Sequence, residues 1–120
     1  MKTILLVEDD KKISIALGCR LQSMGYNVQS AEDAIYAMNE TVRCRPDAIL
    51  LDINLPGGDG FIVAKRIRAS LQVALTPIIF ITASKNAEFR QQAMELGAAG
   101  YLEKPFGVAE LTEAIDSCLA

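Results

Sequence analysis

Apolar residues follow two rhythms along this chain. Four short runs of β-branched and aliphatic residues stand out, at Thr3–Val7, Asn27–Ala31, Asp47–Leu51 and Pro77–Thr82, with a weaker fifth at Ala99–Leu102. Between them apolar positions recur every three or four residues: Ile13, Leu17, Leu21 and Met24; Ala34, Ile35, Met38 and Val42; Val63 and Ile67; Phe89, Ala93 and Leu96; Leu111, Ile115 and Cys118. Short continuous or alternating runs mark strands, and a repeat near 3.6 marks one face of a helix. The order is strand then helix, five times over. Gly25 and Gly97 stand where the first and fourth helices stop, and Ser84 where it would cap the start of the fourth.

The first, third and fourth runs are apolar throughout instead of alternating, which is how strands covered on both faces read. A parallel sheet between two helix layers follows. Right-handed crossovers leave few topologies for five such units, and the commonest is the order 2-1-3-4-5. The predicted fold is therefore α/β: a three-layer (βα)5, flavodoxin-like, doubly wound parallel sheet. Ligands bind such sheets outside the carboxyl ends of the strands, where strand order reverses, here between strands 1 and 3.

Acids gather at that place. Strand 1 runs directly into Glu8, Asp9 and Asp10, and strand 3 runs into Asp52 at the head of the loop Asn54-Leu55-Pro56-Gly57-Gly58. Such carboxylates repel one another and raise one another's pKa unless a cation joins them. Oxygen donors alone suit Mg²⁺, which keeps several waters and accepts phosphate oxygens as further ligands. The acids after strand 1 also suit the start of the next helix, where negative charge complements the dipole. Asp10 is assigned that cap; Glu8 and Asp9, with Asp52 beside them, are assigned to the cation. Strand 4 ends in Ile81-Thr82-Ala83-Ser84 and strand 5 leads into Glu103-Lys104-Pro105-Phe106, which adds a hydroxyl and an ammonium to the same edge. Alone, Lys104 would read as a solvated surface lysine; Pro105 after it restricts its direction. Carboxylates, a divalent cation, a hydroxyl and a fixed positive charge around one open position describe phosphoryl transfer, with Asp52 as the nucleophile.

Composition narrows the setting. A chain of 120 residues, 51% apolar and 22% charged, suits one domain able to bury roughly two-thirds of its unfolded surface. With a net charge of −3 and its 12 Lys and Arg scattered, the chain has no electrostatic footprint for nucleic acid or an anionic membrane. Cys19, Cys44 and Cys118 lie far apart, without CxxC spacing and with no histidine in the chain, so free thiols packed as small apolar groups are expected instead of zinc or disulfides. The opening MKTILLVEDD is too short in apolar residues for a signal peptide, and no stretch approaches the ~20 residues of a membrane span; a cytoplasmic setting is expected.

LLVEDD, LLDINLPGGDG, ITAS and YLEKPF, in that order and spacing, resemble the receiver domain of two-component response regulators over essentially the whole chain. The resemblance implies a phosphorylation-dependent switch, not an enzyme acting on an outside substrate: Asp52 accepts a phosphoryl group from a sensor kinase histidine or a phosphotransfer protein. It implies that Asp9 binds Mg²⁺ directly and Glu8 through water, with the backbone carbonyl of Asn54 as a further ligand. Thr82 corresponds to the hydroxyl that bonds the phosphoryl oxygen, Lys104 to the lysine that pairs with it, and Tyr101 to an aromatic that turns inward as Thr82 moves. The surface of the fourth helix, fifth strand and fifth helix would then read out the change to an effector, or form a dimer. Read without the resemblance, Tyr101 is a static half-buried aromatic. The sequence departs from the family's habit at Gly58, where a bulkier residue is common and a looser loop is expected; Asn54 and Ser84 occupy the rate-tuning positions.

Two other readings compete. A haloacid-dehalogenase-type phosphatase also uses an aspartate after an apolar strand, but needs a second acid two residues on, where Asn54 cannot serve as a proton donor. A flavodoxin-like cofactor binder needs a phosphate-cradling loop after strand 1, where acids would repel the ligand. Whether the chain acts alone or within a longer protein is not legible.

Overall fold

The computed structural model describes residues 1–57 and 59–119. Five strands alternate with five helices: β1 (Thr3–Val7), α1 (Lys11–Ser23), β2 (Asn27–Ala31), α2 (Ala34–Cys44), β3 (Ala48–Asp52), α3 (Gly60–Ala69), β4 (Ile78–Thr82), α4 (Ala87–Glu95), β5 (Gly100–Glu103) and α5 (Val108–Leu119). All strand pairs are parallel, in the order β2-β1-β3-β4-β5 predicted from the pattern.

The sheet is covered on both faces, as its continuous apolar runs require. Leu5, Val7, Ile49, Leu51, Ile78 and Phe80 point to one side, where they meet α2, α3 and α4 through Ala37, Phe61, Val63, Ile67 and Ala93. The alternate residues Ile4, Leu6, Leu50, Ile79 and Ile81 point to the other, against Leu17 and Leu21 of α1 and Leu111 and Ile115 of α5. At about 25 cal/mol per Å² of apolar surface removed from water, burial of these strands on both faces favours folding. They are also the rigid base from which the loops at the carboxyl ends emerge.

Three expectations need correction. On α2 the buried positions are Ala34, Ala37, Glu40 and Thr41, while Ile35 and Val42 are exposed; α2 packs beside α3, and the small Ala34 and Ala37 permit a close approach. The N-cap of α4 is Asn86, whose side chain accepts from the Glu88 N–H at 2.9 Å, and Ser84 sits two residues earlier with its Oγ accepting from Asn86 N–H. Cys44 and Cys118 are half-buried free thiols pushed up by burial, but Cys19 is exposed. The caps placed elsewhere do occur: Gly25 and Gly97 follow α1 and α4 with positive φ, 96° and 72°.

Candidate functional site

β1, β3, β4 and β5 each deliver a polar side chain to one edge as they end. Beyond β1, the Glu8 N–H still donates to Ala31 O of β2 at 3.1 Å, and the side chain is turned inward, 2% exposed. Its Oε2 accepts from the Asp10 N–H at 3.2 Å. Asp10 caps α1 as expected, its Oδ1 accepting from the N–H groups of Lys12 and Ile13. Asp52 is the last residue of β3, one later than the sequence pattern placed the strand's end, and is 4% exposed; its Oδ1 accepts from the Asn54 N–H at 3.0 Å. Thr82 ends β4, fully buried, its Oγ1 accepting from the Ser84 N–H at 3.0 Å. The Lys104 N–H extends the β4–β5 ladder, donating to Thr82 O at 2.7 Å, and the peptide bond from Lys104 to Pro105 is cis.

Lys104 joins the two central strands. Its Nζ donates to Asp52 Oδ2 at 2.9 Å and to Glu8 Oε1, bringing together residues 52 and 96 positions away in the chain. Burial is the largest influence on Glu8 and pushes its carboxyl up to about 7; the Lys104 ammonium pulls it down, and neighbouring Asp52 raises it again. For Lys104 burial alone would lower the pKa, but its bonds and charge attraction to Glu8 and Asp52 outweigh burial and leave it raised. Asp9 is exposed at the mouth, and one oxygen from each of Glu8, Asp9 and Asp52 lies within 4.8 Å of the others. Three carboxylates against one ammonium leave two formal negative charges. An all-oxygen donor set with that charge fits a hard divalent cation of the Mg²⁺ type.

Glu8, Asp9, Asp52 and Lys104, singled out from sequence, thus meet at one place, with Thr82 on the neighbouring strand. Asn54 is exposed in the loop after β3, its N–H turned back to Asp52. The Gly58 expectation falls outside the described residues. Tyr101 is half-buried against the α4 side of the core, between the exposed and buried extremes, with the Arg90 guanidinium 4.5 Å over its ring. An apolar groove of about 530 Å³ opens beside Lys104, between Ile13 and Leu17 of α1 and Pro105 and Phe106. One residue that the sequence reading left without a role is Gly60, whose backbone lies against Asp52 so closely that a Cβ there would be 2.3 Å from the Asp52 carbonyl oxygen. Its signal in sequence is only its place, directly after the Asp59 that caps α3.

Comparison with known proteins assigns this arrangement to a family. The model of the response regulator receiver domain matches residues 4–116. The chain is 41% identical to the transcriptional regulatory protein YvcP of Bacillus subtilis and 37% identical to RpaA of Synechocystis, a DNA-binding dual master transcriptional regulator; each match covers 99% of this chain and 49% of the relative. The chain spans about half the length of these curated relatives. The chemotaxis protein CheY4 of Vibrio cholerae superposes with a TM-score of 0.91 at 33% identity, over 99% of both chains. Among the described residues no helix is long and apolar enough to cross a membrane. With five strands in the same parallel order and the acid cluster at the β1–β3 edge, the chain belongs to the receiver domains of two-component response regulators.

Proposed function

We propose that residues 1–120 form one receiver unit that takes a phosphoryl group from a phosphohistidine, on a sensor kinase or a phosphotransfer protein, onto Asp52. The observation that carries this reading is the convergence of Glu8, Asp9 and Asp52 within 4.8 Å, with Lys104 bridging Glu8 and Asp52. An Asp52 carboxylate oxygen forms the new P–O bond while the donor's P–N bond breaks, and its electron pair leaves with the imidazole. Glu8, Asp9 and Asp52, with the Asn54 backbone carbonyl, would hold Mg²⁺. Bound there, Mg²⁺ supplies positive charge to the oxygens of the group in transfer. Thr82 Oγ1 accepts from the Ser84 N–H, which leaves the hydroxyl proton free to donate to a phosphoryl oxygen. Lys104 exchanges one carboxylate partner for the phosphoryl oxygen.

The phosphate adds close to two negative charges beside Thr82 and Lys104. Thr82 moves toward it, Tyr101 follows into the space, and the surface of α4, β5 and α5 changes for an effector or a second copy of the chain. The output belongs to that effector, whether a separate protein or a further segment of the same one, and nucleic acid is not bound by this unit itself. Turnover is limited to self-catalysed gain and hydrolysis of one phosphoryl group, in the cytoplasm where the kinase acts.

Acetyl phosphate with Mg²⁺ is the test. One phosphoryl group per chain is expected by intact mass, with none in Asp52→Asn; full labelling of that variant overturns the assignment. Continuous hydrolysis of a generic phosphate ester would favour a phosphatase. Lys104→Ala is expected to accept phosphate yet bind the effector no better afterwards, and a phosphate-driven gain in effector binding equal to the parent's counts against the coupling role.

A further inference from the structure

The beginning of α3 rests on the peptide that leads out of Asp52. Asp59 caps the helix, its Oδ1 accepting from the Ile62 N–H at 2.9 Å, and the Gly60 N–H donates to Ile53 O at 2.6 Å. A Cβ on Gly60 would lie 2.3 Å from Asp52 O, 2.9 Å from Ile53 Cα and 3.1 Å from Asp52 C. All three are backbone atoms. No side chain can swing away to relieve the overlap, in contrast to Gly100, where the nearest atoms to a Cβ would be side-chain carbons of Ile79 and Ala114 at 3.3 Å or more. Nor does Gly60 serve backbone freedom, since among the described residues the positive-φ glycines are Gly25, Gly57 and Gly97. What Gly60 provides is space.

The side that yields can be read from the packing. α3 is anchored by buried Phe61, Val63, Ala64 and Ile67, and at its far end by Arg68. β3 is central, but its pairing with β1 stops at Leu51; beyond it the Asp52–Ile53 peptide is held to the sheet from the β4 side, where the Ile53 N–H donates to Ile81 O at 3.0 Å, so it is less restrained than the helix packed against it. Restoring ordinary van der Waals separation would move that peptide by about 1 Å. The Asp52 carboxylate would be carried away from the Asn54 N–H and Lys104 Nζ that hold it at 3.0 and 2.9 Å.

We propose that Gly60 is a positioning residue for the phosphoryl acceptor: its missing side chain sets the height at which Asp52 meets Glu8, Asp9 and Lys104. The proposal rests on the reading of Asp52 as the acceptor. Its test compares Gly60→Ala with Asp59→Ala, which weakens the same helix start without touching the Asp52 peptide. Rates of labelling by acetyl phosphate at saturating Mg²⁺, and Mg²⁺ affinity by calorimetry, are measured at a temperature where circular dichroism shows both variants folded. Gly60→Ala is expected to label about 100-fold more slowly than the parent, as an ångström of misplacement commonly costs, and to bind Mg²⁺ several-fold more weakly. Asp59→Ala is expected to stay within about threefold of the parent on both.

Parent-like labelling of Gly60→Ala, or equal losses in Asp59→Ala, overturns the positioning role while leaving the function intact. Failure of Gly60→Ala to fold at 4 °C overturns it too, because the glycine would then serve the fold and not the site. An unlabelled parent chain overturns the functional reading itself.

Discussion

At the carboxyl ends of the strands Lys104 is shared between Glu8 and Asp52, whereas at the amino ends of β4 and β5 the comparable cation, Arg68 of α3, meets no carboxylate among the described residues. Arg68 Nη1 donates to Ala74 O at 2.9 Å and Thr76 O at 2.7 Å, Nε to Leu96 O at 2.8 Å, and Nη2 to Gly97 O at 3.4 Å. Burial pushes its guanidinium down, yet the planar fork fits the carbonyls of the two loops that lead into β4 and β5. Carbonyl dipoles satisfy the cation and leave no net negative charge. At the other end the acids outnumber the ammonium and two negative charges remain. One end of the sheet is electrostatically finished, and the other is arranged to gain a cation.

The comparison breaks most readily at Arg68. Arg68→Met strips four carbonyls of a charged donor at once, and a loss of about 3 kcal/mol is expected, near 10 °C in Tm for a chain of this length. Because no carboxylate is involved, the drop should be the same in EDTA and in Mg²⁺. A drop that Mg²⁺ erases would mean the two ends are not independent.

Lys104→Met should behave in the opposite way. It leaves Glu8 and Asp52 buried without their cation, and removing one partner of a buried pair costs about 3–5 kcal/mol; with the Lys104 side chain 17% exposed, about 2–3 kcal/mol is expected in EDTA. Mg²⁺ at the same carboxylates should restore most of it. Thermal melts with and without the ion decide, and an equal loss in both would show that Lys104 is structural in the manner of Arg68.

The contrast between the ends also explains how much could be read from sequence. Glu8, Asp9, Asp52, Thr82 and Lys104 were legible because topology alone sends every strand's carboxyl end to one edge, so that residues following apolar runs must meet there. Asp52 closes β3 as its last residue because strand pairing is a backbone property that an acid at the edge does not prevent. Arg68 was not legible. Among Lys65, Arg66 and Arg68 nothing in the pattern marks which basic side chain turns inward, since its partners are carbonyls common to every residue. Gly60 was hidden for a related reason: an absent side chain has meaning only once the distance to the neighbouring strand is known. On α2 the apolar Ile35 and Val42 drew attention from Ala37 and Thr41, because periodicity detects large apolar residues, whereas Ala37 is small and the Thr41 hydroxyl is satisfied within the helix by donating to Ala37 O at 2.7 Å.

A smaller effect sharpens the electrostatic difference through pH. Glu8 is raised from 4.5 to about 7 in the folded protein, so between those values the native state binds the extra proton and the unfolded chain does not. Stability must then fall as pH rises through that window, by about 2 kcal/mol from pH 5 to 7.5, and level off above it. Raised Lys104 adds nothing there, since its contribution is lost only at higher pH, above its ordinary value of 10.5. Melts of the parent in EDTA should show the decline; Glu8→Gln should flatten it, and so should Mg²⁺. A decline that survives in Glu8→Gln would assign the titration to another group.

The smallest effect comes from a third cation, Arg90 of α4, which is more exposed than either of the others. Its guanidinium is 4.5 Å over the Tyr101 ring and 3.9 Å from Glu103, and its side chain is 57% exposed. A ring face and a distant, hydrated carboxylate hold a cation far less firmly than buried carbonyls or buried acids, so Arg90→Gln should cost under about 1 kcal/mol, with or without Mg²⁺. Its signature is local instead. Burial, with Glu103, raises the Tyr101 phenol, and Arg90 opposes them; removing the guanidinium should therefore move the phenol's titration still higher, visible by NMR at Tyr101. A stability loss as large as that of Arg68→Met would show that α4 is clamped at both of its ends, and Tyr101 would then lack the freedom to follow Thr82.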